Sequence, residues 1–181
     1  MSLQLNTPPA AEPVSLAEAK AHLKVDTTDD DALITSLISA ARSRAEWHTG
    51  RAFVTQGWTL WLDRWPADGC AEIPLPPLQG VMSVTHYARD DGATVLDTGE
   101  YQVAQGAPAR VILKSGTPLN LRAADAVAIA FTAGYGNAAA VPALVRQAIL
   151  QIIAGLHANR GDDGIPPDAL ALLEPYRVLK L

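Results

Sequence analysis

Gly134, Gly136 and Ala139, in "AIAFTAGYGNAAAVPALVRQ", have the spacing G-x-G-x-x-G/A. In a dinucleotide fold such glycines let the backbone approach a pyrophosphate at a helix N-terminus. That chemistry needs a helix opening inside the turn, a following strand, and an acid about twenty residues on. Here the helical signal begins only near Pro142 and runs into a loop, with no later strand. The glycines therefore read as a connector between a strand and a helix.

Asp26, Asp29, Asp30 and Asp31 form the only dense acidic group. A calcium loop would need alternating ligands around a central glycine and a distal Glu, and "DTTDDDALI" has neither. The spacing of Thr28 and Asp31 predicts a capping box, with the acids at the positive end of a helix dipole. His22, His48, His86 and His157 make no metal-ligand pair, and Cys70 has no activating base near it in sequence. No nucleophile elbow or phosphate loop occurs. The residues thus predict no catalytic group, no metal site and no cofactor. Trp58, Trp61 and Trp65 lie on a stretch of period 2, which puts Trp58 in a core and Trp61 toward a neighbour.

Composition narrows the class further. The chain has 181 residues, 49% of them apolar, a net charge of −5 and one cysteine. It is expected to be a soluble globular protein without an internal disulfide, signal peptide or membrane span. An acidic chain is poorly suited to gripping DNA over a broad surface, though DNA can pass alongside it.

The elements that hold these residues follow from periodicity. Residues 1–13 carry three prolines and read as an extended arm. Ser15 and Glu18 form a capping box ahead of a short helix, and Leu33, Ile34, Leu37, Ile38, Ala41 and Ala45 give the next helix a broad apolar face. Gly50 is placed to end it. From Phe53 the period falls to 2, and strands are expected at 72–75, 81–88, 94–96, 101–104, 110–113 and 126–133. A third long helix starts at Pro142. Its apolar arc takes Leu144, Val145, Ala148, Ile149, Ile152, Ile153 and Leu156 and leaves Leu150 outside, which marks Leu150 for a second partner. A short helix breaks at Pro175, followed by a tail.

The predicted fold is α+β: a discontinuous helical bundle with an inserted antiparallel β domain. The chain is expected to divide into the arm (1–13), a first helical segment (14–50), the β domain (51–136), a second helical segment (137–160), and a short helix with tail (161–181).

Two stretches resemble the head–tail connector (adaptor) proteins of tailed phages and gene transfer agents, in the longer branch with a β insertion. They are "VSLAEAKAHLKVDTTDDDALITSLISAARSRAEWHTGRAFVTQGW" and "FTAGYGNAAAVPALVRQAILQIIAGLHANRG", supported by "LPPLQGVMSVTHY" and "GEYQV". The resemblance implies a non-enzymatic structural protein of the particle neck. It implies a homo-oligomeric ring, usually of twelve copies, below the portal protein. Such a ring extends the channel for double-stranded DNA, which passes without sequence-specific binding, and docks a stopper or tail component. No membrane takes part. By the same analogy Tyr176, Arg177, Val178, Leu179, Lys180 and Leu181 are the portal-contact candidates; Leu150 and Trp61, from their places on the helix and the strand, are the subunit-interface candidates. A stopper or tail-completion protein is the neighbouring reading, and a small metal-dependent enzyme using the Asp cluster the distant one.

Overall fold

The computed structural model describes residues 1–106, 108–114, 120–158 and 164–178. The chain is α+β and forms two compact units. One joins residues 1–8 to 55–134, and the other joins residues 9–54 to those from 135 onward.

The helical unit holds α1 (Leu16–Leu23), α2 (Asp31–Thr49), α3 (Ala143–Ala158) and α4 (Pro167–Leu173). With eight residues, α1 is shorter than the roughly 12–15 that an isolated helix needs in water. It survives because Ala19 is buried against a core built from Ile34, Ile38, Ala41, Ala45, Val145, Ala148, Ile149, Ile152 and Ile153. Alanines at 41, 45 and 148 keep the facing surfaces of α2 and α3 thin, and the isoleucines beside them supply the apolar area.

The cap of α1 is the one its sequence predicts. Ser15 N–H and Ser15 Oγ each donate to Glu18 Oε2 at 2.8 Å, and Glu18 N–H donates back to Ser15 Oγ at 3.2 Å. Arg146 of α3 also bonds Glu18, tying the cap to the far segment. The predicted capping box of α2 does not form. Asp30 occupies the cap position without a side-chain bond, and Asp31 instead pairs with Lys20 Nζ at 2.5 Å. The Asp31 carboxylate is thus turned toward α1 in a salt bridge between the two helices rather than back toward Thr28.

The β unit contains two antiparallel sheets. The larger is ordered β1 (Ser2–Thr7), β2 (Gln56–Leu62), β8 (Val127–Ala133), β4 (Leu78–Tyr87), β5 (Ala93–Val95). The smaller is β3 (Cys70–Ile73), β7 (Ala109–Leu113), β6 (Tyr101–Ala104). β8 is central and almost wholly buried, which explains its nearly unbroken apolar sequence. Leu60, Ile129 and Val84 lie side by side on one rung across β2, β8 and β4, all buried. Ile73, Ala109 and Val111 are buried on the smaller sheet.

The expectation of an extended arm over 1–13 is corrected here. Residues 2–7 are an edge strand paired to β2, with Ser2 opposite Trp61 and Leu5 opposite Trp58. Trp58 is also only half-buried rather than a full core residue.

Glu18 carries a pH signature. The Ser15 backbone and hydroxyl, then Arg146, hold its carboxyl below the usual range. A depressed carboxylate contributes stability that is complete above its unfolded pKa, about 4.3, and is lost as pH falls through the lower folded value. Denaturant midpoints measured from pH 6 to pH 3 should fall less steeply in Glu18→Gln than in the native chain. At pH 7, Ser15→Ala should cost about 1 kcal/mol.

Candidate functional site

The residues shared by the helix end and the chain's tail form the most elaborated polar cluster of the helical unit. It is built on "EWHTGR", residues 46–51. Gly50 ends α2 at φ 68°, a left-handed conformation that favours glycine, and its N–H donates to Glu46 O at 2.8 Å. Thr49 is buried, and its Oγ1 donates to Ala45 O at 2.8 Å.

Glu46 is the hub. One carboxylate oxygen accepts from Arg42 at 2.6 Å, and the other accepts the Phe53 N–H at 2.8 Å. Arg42 also donates from Nε to Glu12 at 2.7 Å. Burial alone would lower the Arg42 pKa, but bonds to Glu12 and the charges of both glutamates more than reverse it, so the guanidinium stays charged. Across the cluster, the Phe53 carbonyl accepts from Tyr135 N–H at 2.8 Å, and burial pushes the Tyr135 phenol up.

The tail docks on the same cluster. Val178 N–H donates to Thr49 O at 2.8 Å, Arg51 Nε donates to the Tyr176 carbonyl, and the Tyr176 ring packs against the helical core. A Cβ on Gly50 would lie 3.5 Å from the Val178 Cβ. Of the portal-contact candidates, Tyr176 and Val178 thus spend surface within their own unit, while Arg177 is exposed and pairs with Glu174 at 3.3 Å. Leu179, Lys180 and Leu181 lie outside the described residues.

The two interface candidates are also accounted for. Leu150 is half-buried and packs against the helical core, so it is not the free outlier that its helical angle suggests. Leu144, counted inside the arc, is instead 47% exposed. Trp61 is half-buried, stacks with Tyr87 at 5.7 Å between ring centroids, and donates from Nε1 to Gln4 at 3.2 Å. Arg122 lies 4.4 Å over the same Tyr87 ring. Gln4, Trp61 and Arg122, with Ser2 and Asp125, line a shallow cleft on the β unit.

Sequence reasoning missed Trp47, which is 87% exposed on α2. The signal was present: Trp47 lies two positions past Ala45, about 200° around the helix from the buried stripe.

The glycine turn has no phosphate-binding geometry. Gly134 and Gly136 take φ 123° and 130°, a short 3-10 turn follows at Ala138–Ala140, and α3 opens only at Ala143. Gln79 holds the Gly134 carbonyl at 2.9 Å. Among the described residues, no three His, Cys, Asp or Glu side chains are grouped to hold a metal ion, and no helix is long and apolar enough to cross a membrane.

Residues 13–87 match the family model described as Phage gp6-like head-tail connector protein. This chain is similar to phage head–tail connectors. The match takes in Ser15, Glu18, the Asp cluster and the whole of "EWHTGR". Solved structures extend the likeness in fold to the full chain. A chain from the neck of an empty gene-transfer-agent particle, computed with C6 symmetry, has a TM-score of 0.85 at 24% identity. A chain from the virion of a native gene-transfer-agent particle gives 0.83 at 24% identity. One from the neck of a native particle, computed with C12 symmetry, gives 0.82 at 26% identity. Each likeness covers 100% of this chain and 97% of the other. None of the curated proteins matches. The residues of the connector signature resolved in this site are structural: they close a helix, turn the chain and seat the tail.

Removing one partner from a mostly buried ion pair leaves the other charge uncompensated. Arg42→Ala or Glu46→Ala should each cost about 3 kcal/mol, seen as a lowered urea midpoint of the full chain. Gly50→Ala should cost about 1 kcal/mol through its positive φ alone, measured the same way.

Proposed function

We propose that this protein is a structural, non-enzymatic connector of a phage or gene-transfer-agent neck. Its copies form a ring below the portal, extend the DNA channel and dock the next neck or tail component. The observation that carries the reading is the match of residues 13–87 to the connector family, joined to a fold likeness to neck chains over the whole length. The C6 and C12 symmetry of those neck structures supports a ring, with twelve copies as the proposed number.

The chain's physical character suits such a place. A net charge of −5 disfavours retention of DNA by counterion release, so a strand can slide through. Within the proposed portal contact, Tyr176 and Val178 anchor the segment, while the exposed Arg177 side chain, Leu179, Lys180 and Leu181 supply the contact. Leu150 and Trp61 keep some of their surface for a subunit neighbour, and Leu144 and Trp47 have more of it exposed.

Electron microscopy of particles containing this chain, with mass photometry of the chain mixed with portal, tests the proposal. A ring of this chain between portal and tail is expected. Particles whose neck lacks the chain, or a chain that stays monomeric and ignores portal, would refute it. Replacing Arg177 and Lys180 with Glu should reduce portal binding without lowering the denaturant midpoint. Unchanged binding would remove the tail from the portal contact.

A further inference from the structure

β1 is an edge strand of unusual character. Among the described residues it pairs with β2 alone, and all six of its residues, Ser2–Thr7, are exposed. Edge strands invite pairing with another chain, and proteins usually guard them with charge, proline or irregularity. The sequence "SLQLNT" contains no charge and no proline. Its one irregularity is a register shift between Leu5 and Thr7, which leaves Ser2 to Leu5 regular.

The side chains sharpen the point. Leu3 continues the buried rung Leu60, Ile129, Val84, yet is 38% exposed, and Leu5, opposite Trp58, is 44% exposed. The core face of the sheet thus runs out to its open edge without cover. On the other face, Gln4 accepts from Trp61 and Asn6 donates to Thr59 Oγ1 at 2.9 Å. These bonds fix β1 on β2, so the open edge is a preformed template.

The opposite end of the same sheet is also open. Among the described residues β5, "ATV", pairs with β4 alone; it is exposed at all three residues and carries no charge, and Val95 is 63% exposed. Every pairing in the sheet is antiparallel, so across five strands β1 and β5 run in the same direction. A ring contact is head-to-tail and needs two unlike surfaces on each copy. The two edges of this sheet are such a pair.

We propose that the open β1 edge is a docking surface for the β5 edge of a second copy of this chain. The joint is a short parallel pairing that continues one sheet into the next copy's sheet. This rests on the ring reading above.

Neighbouring strands lie about 4.8 Å apart, within the Cα separation that a disulfide accepts. Thr94 lies opposite His86, on the same sheet face as Leu3 and Leu5. The full chain with Cys70→Ser and Thr94→Cys, plus either Leu3→Cys or Leu5→Cys, is assembled with portal and oxidised. A ladder of cross-linked multimers is expected from at least one register, with single-cysteine controls remaining uncross-linked. Leu3→Lys with Leu5→Lys should lower the ring fraction at least about tenfold, a loss near 1.4 kcal/mol. An intact ring with no ladder in either register, and no effect of the lysines, overturns the edge joint and leaves the ring reading standing. Dimers from Leu3→Cys or Leu5→Cys alone would show like edges meeting, which overturns it too, as would cross-links only to a different protein. A chain that is monomeric with portal and absent from the neck overturns both readings together.

Discussion

The carboxylate of Glu46 is the interaction on which the helical unit depends. One oxygen faces Arg42, itself held by Glu12, and the other receives the Phe53 N–H where the chain leaves α2. A carboxylate that accepts from a cation and a backbone amide makes charge-assisted bonds, roughly twice as strong as neutral ones. Here they fix the exit path of the chain beside a glycine already in the left-handed region. The Thr49 carbonyl is then positioned for Val178, and Phe53 for Tyr135. Three segments far apart in sequence meet at one helix end because that end is rigid.

This gives physical content to the connector signature. Glu46, Thr49, Gly50 and Arg51 each have a backbone partner. Their roles are geometric: they end a helix, turn the chain and seat the tail. The exposed positions are made of different material: a tryptophan on α2, an uncharged strand edge, and an arginine on the tail.

What could be read from the sequence follows the range of the interactions. The cap of α1 is set by Ser15 and Glu18, three residues apart, and it forms as the spacing predicts. Gly50 as a helix terminator, the change of period after Phe53 and the return of α3 to α2 are likewise local patterns or direct consequences of them. Apart from Trp47, whose signal was local, the misses are long-range. Asp31 abandons its local cap for Lys20, β1 finds its partner more than fifty residues away, and Tyr176 settles on a surface laid down by residues near 50. Nothing in "SLQLNT" alone distinguishes an edge strand from a free arm, because the signal lies in β2. Leu144 and Leu150 exchange their expected roles because the packing of α3 on α1, α2 and α4, not helical angle alone, decides which of its residues are covered.

The chain passes between its two units three times, near residues 8, 54 and 134. This imposes an order on synthesis. The β unit has all its strands once residue 134 has been made, whereas the helical unit still lacks α3, α4 and the Val178 stitch. With eight residues α1 is too short to hold alone, and the apolar face of α2 waits for α3. The β unit matures first and the helical unit last, so a half-made chain presents sheet edges before it presents a finished tail. Any contact that uses both must come after the final residues are in place.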